Sequence, residues 1–252
     1  MVVAPAARSG REARPPKELR EPKYYTVKRH LLDIIGTLPP GTLVPTERLL
    51  MVELGTSRTT VRQALGELVG EGRLVRRQGS GTYVAEPKVH WPLRMTSFTE
   101  QATSTGHAAS TQLIDAGREK ASDDIAERLE LRTAALVHRI ERLRLVDEVP
   151  MAVETSYLSA QQFPGLAKEL RRGDSLYRVL LERYGVVPVT AEETIETAAA
   201  SPREADLLRT ETGSPMLVLS RHSFTADGSP VEWVQSWYRG DRYRFVTRLT
   251  SD

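Results

Sequence analysis

From Tyr24 onward, Tyr25, the aliphatic stem of Lys28, Leu31, Leu32, Ile35 and Leu38 recur at helical spacing until Pro39, Pro40 and Gly41 break the run. The pattern predicts an amphipathic first helix. Thr46 then stands as N-cap to a short helix carrying Leu49, Leu50 and Leu54, which Gly55 closes. A third helix follows almost at once. It starts at Thr56 or Ser57 and buries Val61, Ala64, Leu65, Leu68 and Val69, an i, i+3, i+4, i+7, i+8 stripe, before Gly70 and Gly72 stop it. Residues 74–77 and 82–84 read as a small hairpin with Gln78, Gly79, Ser80 and Gly81 at its tip.

The remainder alternates strand-like runs with short helices, the pattern of an α+β domain. It holds a weak internal repeat: residues 122–129 resemble 201–208, and each segment is followed by a strand (136–146, then 216–226), a turn (147–150, then 227–230) and a returning strand (151–158, then 231–238). Two copies of helix plus hairpin predict a pseudo-symmetric sheet with a site between the copies. Residues 1–22 are rich in Ala, Pro and Arg without apolar periodicity, so a disordered tail is expected there. The organisation expected is therefore tail 1–22, a helical head 23–86, a proline-containing linker 87–95 and an α+β body 96–252.

A chain of 252 residues with 40% hydrophobic and 27% charged positions has core enough for two modest domains. The absence of cysteine removes disulfides, thiolate metal sites and cysteine nucleophiles. The longest apolar runs, near 134–137 and 216–219, are too short to cross a bilayer, and the first ten residues hold no signal-peptide core, so a cytoplasmic protein is expected. Net charge is only +2, but it is unevenly spread: the first 88 residues carry 15 basic and 9 acidic groups, the rest 20 and 24. A basic front half joined to an acidic back half points to a polyanion-binding module with a different partner domain.

Three helices and a hairpin, with a very short turn between the second and third helices, make a winged helix-turn-helix. Opposite the apolar stripe of the third helix stand Ser57, Arg58, Thr59, Thr60, Arg62 and Gln63. These supply hydroxyls for phosphate, guanidinium forks for guanine and an amide for adenine, as a major groove requires. Arg76 and Arg77 flank the wing, and Gly79 and Gly81 let its backbone approach a neighbouring groove or phosphate. The run Pro45-Thr46-Glu47-Arg48, the helix Thr56-Ser57-Arg58-Thr59-Thr60-Val61-Arg62-Gln63-Ala64-Leu65 and the wing Gln78-Gly79-Ser80-Gly81-Thr82-Tyr83-Val84 resemble the DNA-binding domain of GntR-type bacterial transcription regulators. The resemblance implies that Glu47, Arg48, Ser57, Arg58, Thr60 and Arg62 face DNA, with Gly79 at the wing tip. Thr46, Met51 and Ser80 depart from the usual pattern, and Ser80 lacks the positive charge often found there.

In the second half, Arg142 and Arg144 are two apart in a strand, so both guanidinium groups emerge on one sheet face as a clamp for phosphate or carboxylate. Two helix starts lie within reach of such a role: Ser97-Phe98-Thr99-Glu100 with capping-box spacing, and Gly173-Asp174-Ser175-Leu176-Tyr177. Asp174 has the wrong sign beside a phosphate unless it caps its own helix. Glu154, and Glu232 with Tyr238 on one face of the matching strand, suit a sugar's hydroxyls or amine. Carboxylate pairs also serve glycosidases. However, the five histidines show no metal-ligand spacing, and no phosphate loop or nucleophile elbow occurs, so neither metal, cofactor nor catalytic residue is expected. His138 and His222, in strands, read as structural.

Residues from about 90 to 250, notably Leu93-Arg94-Met95-Thr96-Ser97-Phe98-Thr99-Glu100, Ile140-Glu141-Arg142-Leu143-Arg144, Pro150-Met151-Ala152-Val153-Glu154 and Tyr238-Arg239-Gly240-Asp241-Arg242-Tyr243, resemble the UTRA effector domain of the HutC branch of the same family. That domain is similar in fold to chorismate lyase without its catalysis. The likeness to amino-sugar regulators of the branch implies a pocket for glucosamine 6-phosphate or N-acetylglucosamine 6-phosphate. It places Ser97, Arg142, Arg144, Ser175 and Tyr177 at the phosphate and Glu154, Glu232 and Tyr238 at the sugar, with Phe98 also counted among the effector-binding residues. The expectation is a homodimeric repressor on a pseudo-palindromic operator, released by ligand. A different phosphosugar or small carboxylate, a DNA-tethered lyase-like enzyme and an architectural DNA-binding protein are the alternatives.

Overall fold

A computed structural model of the chain describes residues 22–77, 79–170 and 175–248. Residues 1–21 of the expected tail, Gln78 of the wing, and Gly173 and Asp174 before the second expected helix start lie outside them.

The head comprises α1 (Lys23–Thr37), α2 (Glu47–Glu53), α3 (Arg58–Gly70) and the antiparallel hairpin β1 (Leu74–Arg77) and β2 (Gly81–Val84). Capping fixes where α2 and α3 begin: Thr46 Oγ1 accepts from the Leu49 amide at 3.3 Å and Ser57 Oγ from the Thr60 amide at 3.2 Å. Each such cap contributes roughly 1 kcal/mol. Val61, Ala64, Leu65 and Leu68 of α3 are buried against the first helix. One expectation is corrected there. Tyr25 is 47% exposed, and the core stripe of α1 is Val27, Leu31 and Ile35. The phase is set by Lys28, whose ammonium reaches across to Glu67 of α3 at 3.0 Å and to Glu71, turning Tyr25 outward.

A second correction concerns the linker. Residues expected to be linker contain β3 (Val89–Pro92), which pairs in parallel with the last strand, β10 (Tyr243–Val246). The reason is Trp91, fully buried between Phe98 and Tyr243 at ring-centroid distances of 5.2 and 5.0 Å. Burying an indole outweighs the loop signal of the flanking prolines, and Pro92 sits at a strand end where its missing N–H is tolerated.

The body is an antiparallel sheet of six strands, β4 (Ala109–Lys120), β5 (Leu136–Val146), β6 (Val149–Ser159), β7 (Thr190–Ala199), β8 (Pro215–Phe224) and β9 (Pro230–Arg239), in the order β4-β5-β6-β9-β8-β7. With α5 (Asp123–Arg128) and α8 (Pro202–Leu208), the strands form two β-α-β-β units that meet at β6 and β9. Ile125 and Ala126 of α5, and Ala205 and Leu208 of α8, bury one sheet face. The other face is covered by α4 (Phe98–Ser104), α6 (Leu166–Leu170) and α7 (Leu176–Tyr184). Two register partnerships, Arg142 with Glu154 and Glu154 with Ser236, place the interior of this second face at the seam between units.

Head and body touch where α3 ends. Gly72, buried at φ +69°, lies so close to the turn after β9 that a Cβ would stand 1.8 Å from the Asp241 carbonyl oxygen. Lys88 of the linker donates to the Gly240 carbonyl at 2.6 Å. Gly72→Ala is therefore expected to open this contact and to add backbone strain of about 1–3 kcal/mol. A lower midpoint in thermal unfolding together with faster proteolysis near residues 85–88 checks it; an unchanged midpoint and digestion pattern would show that the contact does not form in solution.

Candidate functional site

The exposed side of α3 and the residues before it form the first candidate surface. Arg58 and Arg62 project from its first two turns with side chains 71% and 61% exposed, and both lean toward Glu47 of α2, with Arg58 Nε 2.9 Å and Arg62 Nε 3.7 Å from its carboxylate. Glu47 thus aims the guanidinium groups. Arg48, Thr59 and Gln63 are exposed beside them. Ser57 is spent partly on its cap, and its hydroxyl lies 2.8 Å from that of Thr60. On the wing, Gly79 takes φ +70° at the tip, Arg77 lies over the Tyr83 ring at 4.6 Å, and Arg76 leans the other way, 4.0 Å from Glu211 of the body. The arrangement offers forks and hydroxyls in one plane, as a groove-reading helix does.

The second candidate site is a cavity of about 60 Å³ on the inner sheet face, roofed by the starts of α4 and α7. That volume suits a few waters. On β5, Arg142 and Arg144 are 2% and 6% exposed and share one carboxylate. Arg142 Nη2 donates to Glu154 and, at 3.3 Å, to Ser156 Oγ. Arg144 donates to the same carboxylate from Nη2 at 2.7 Å and Nε at 3.2 Å, and from Nη1 to Thr111 Oγ1 at 2.9 Å. The Phe98 ring lies 5.2 Å from the Arg144 guanidinium. Among the described residues, Arg142 Nε and Nη1 are buried with no hydrogen-bond partner. Each such donor costs about 1–3 kcal/mol or more while unmade.

The charges bear the marks of this crowding. Burial alone would push the Glu154 carboxyl up, but Arg142 and Arg144 outweigh it and hold it at about 2. Burial and the neighbouring Arg144 push the Arg142 guanidinium down. Two cations thus share the Glu154 carboxylate, and the next acidic group acting on Arg142 is Glu232, whose carboxyl burial raises. Ser97 closes a capping box with Glu100, its hydroxyl accepting from the Glu100 amide at 3.2 Å, while Ser175 caps α7 without engaging its own helix through the side chain.

Beyond the clamp, Tyr177 donates to Glu232 at 2.7 Å, with Ser223 Oγ 3.4 Å from its hydroxyl. Burial raises the Glu232 carboxyl, which the Tyr177 hydrogen bond partly offsets, and lifts the Tyr238 phenol to about 12. The nine residues expected at the effector, Ser97, Phe98, Arg142, Arg144, Glu154, Ser175, Tyr177, Glu232 and Tyr238, all line this one cavity. Their neighbours differ from expectation in two places: Glu154 sits in the arginine clamp, and Tyr177 reaches Glu232. Ser156, Ser223, Arg221 and Glu193 were missed. Two-residue spacing from Glu154 points to Ser156, whereas the inward facing of Arg221 and Glu193 follows only from the pairing of β8 with β9 and β7.

Residues 23–84 match the model of bacterial regulatory proteins of the gntR family, and residues 104–244 match that of the UTRA domain. The chain belongs to the gntR family of bacterial regulatory proteins. This gntR-family chain is 37% identical to the HTH-type transcriptional repressor NagR of Bacillus subtilis over 89% of its length and 93% of that protein. It is 33% identical to the histidine utilization repressor of Pseudomonas putida over 91% and 92%. The crystal structure of PhnF from Mycobacterium smegmatis superposes with a TM-score of 0.65 at 35% identity, covering 90% of this chain and 100% of that one. The fold is the α+β pairing of winged helix-turn-helix and UTRA domain, and the relatives are named repressors rather than enzymes. Among the described residues no helix is long and apolar enough to cross a membrane.

Glu154→Ala strands two buried guanidinium groups and is expected to cost about 3–5 kcal/mol of stability. Millimolar inorganic phosphate should restore part of it. Because the Glu154 carboxyl is held near 2 rather than its ordinary 4.5, its contribution is complete above about 4.5 and is lost as the pH falls through about 2. Thermal unfolding of both proteins across this range, with and without phosphate, measures both effects; a variant as stable as the parent would remove the shared-carboxylate account.

Proposed function

We propose that this chain is a transcriptional repressor that binds a pseudo-palindromic operator as a homodimer and is released by a phosphorylated amino sugar, glucosamine 6-phosphate or N-acetylglucosamine 6-phosphate. Family membership supports the DNA-binding half. For the sensing half, the observation that carries the reading is Arg142: two buried, unpaired N–H donors beside a second guanidinium call for a multidentate oxyanion, and phosphate supplies the acceptors. Glu232 and Tyr238 then face the hydroxyls and nitrogen of the sugar, while Glu154 holds the two arginines in place. Two-fold symmetry of the protein asks for two half-sites in the DNA.

Release needs a path from pocket to head, and aromatic stacking supports one. Arg144 lies on Phe98, Phe98 on Trp91, and Trp91 on Tyr243, with Trp91 three residues beyond Lys88 on the strand that follows the head. A ligand that moves α4 to enter the cavity shifts Phe98, and with it the anchor of the linker. A coupling of about 1–3 kcal/mol changes operator affinity roughly 5- to 150-fold. A carboxylate effector is the second reading, favoured by the fact that the clamp already holds a carboxylate, that of Glu154.

Arg58→Ala and Arg62→Ala are each expected to weaken operator binding by about 1–3 kcal/mol with the thermal midpoint unchanged, measured by gel shift and unfolding. Unaltered operator affinity in both would move the reading surface elsewhere. Replacing Arg142 and Arg144 together by lysine keeps both charges and removes both forks; it is expected to abolish release by the amino-sugar phosphates while operator binding persists. Release assays with phosphosugars and with small carboxylates decide between the two effector classes, and release of the double variant as readily as the parent would refute the clamp.

A further inference from the structure

The charged residues on the inner sheet face continue past the clamp. Arg221 of β8 and Glu193 of β7 are cross-strand partners, joined by a hydrogen bond from Arg221 Nε at 2.9 Å, and their side chains are only 16% and 18% exposed. Both line the cavity that Arg142 and Arg144 line. The register makes this unavoidable: Arg142 pairs with Glu154, Glu154 with Ser236 and Ser236 with Leu219, and Arg221 is one side-chain repeat along from Leu219. Stability does not account for the pair. A salt bridge withdrawn from water adds little over two apolar residues of the same volume.

Position suggests what it does. Three strand steps separate β5 from β8, roughly 14 Å at the usual spacing. Arg142 and Arg144 reach inward over β6, where Glu154 holds them, and Arg221 stands on β8. The strand between, β9, contributes Glu232, Ser236 and Tyr238 as a floor. A phosphorylated sugar with its phosphate in the clamp and its ring over β9 therefore presents its remote substituent to Arg221.

We infer that Arg221, positioned by Glu193, is a specificity-determining residue that donates hydrogen bonds to an acceptor group on the end of the effector remote from its phosphate, and so favours an N-acylated sugar phosphate over the free amine. An amide oxygen accepts from a guanidinium N–H, whereas an ammonium has no lone pair with which to accept one. Glu193 takes Nε and fixes the plane of the fork. Glu232, the acidic group on this stretch of β9, already accepts from Tyr177 at 2.7 Å, and burial raises its carboxyl, which weakens its pull on an ammonium. This inference rests on the phosphosugar reading of the pocket.

Titration calorimetry of the full-length protein with inorganic phosphate, glucosamine 6-phosphate and N-acetylglucosamine 6-phosphate tests it. The parent is expected to bind the acylated sugar about tenfold more tightly than the amine. Arg221→Met should bring that ratio near one and leave phosphate affinity unchanged, Glu193→Gln should lower the ratio in part, and Arg221→Lys should retain some preference. A ratio untouched by Arg221→Met, or an equal loss for all three probes, overturns the inference and leaves the phosphosugar reading standing. A parent that binds phosphate but neither sugar overturns both.

Discussion

Two guanidinium groups on β5 share a single buried carboxylate on β6, and much of the body is arranged around that imbalance. Burying cations requires compensation from every side. Glu154, Ser156 and Thr111 supply it from the sheet and the Phe98 ring from above, yet two donors of Arg142 remain without a partner. A core of this kind is held in a state that a suitable anion improves. On the proposed reading, the folded form is stable enough to persist and incomplete enough to respond to such an anion.

The doubling of the β-α-β-β unit explains where this imbalance sits. Each unit alone would expose the inner edge of its hairpin, and joining β6 to β9 closes both edges while bringing Glu154 and Ser236 into register. Apolar helices cover the outer face, so the polar groups of both units collect on the inner face at the seam. The cavity is thus a product of symmetry, and its two ends need not be alike: the first unit contributes the arginine pair, the second Arg221, Glu232 and Ser236.

Much of this was legible in the sequence, because period-3.6 and period-2 patterns are strong where a helix or strand has one buried face. The three head helices, the hairpin, the two repeat helices and the paired arginines follow from such patterns, and the family resemblance carries the rest of the expected pocket. What escaped depended on long-range partners. In the first helix Leu31, Leu32, Ile35 and Leu38 pack as expected and only Tyr25 turns outward, beside Lys28, which is held by Glu67 and Glu71 some forty residues away. The strand at Val89–Pro92 was read as linker because its partner, Tyr243–Val246, lies at the far end of the chain. Arg221 and Glu193 stayed hidden because their facing follows from pairing across β9, β8 and β7, which the sequence of either strand alone does not give.

The parallel pairing of β3 with β10 ties the segment leaving the head to the last strand of the body. Because the two ends of the effector module are zipped side by side, the head hangs from a double-stranded strut rather than a single tether. Such a strut transmits twist well and slack poorly. Tyr243–Val246 thereby help to set the attitude of the first domain, although they stand some 160 residues beyond its end.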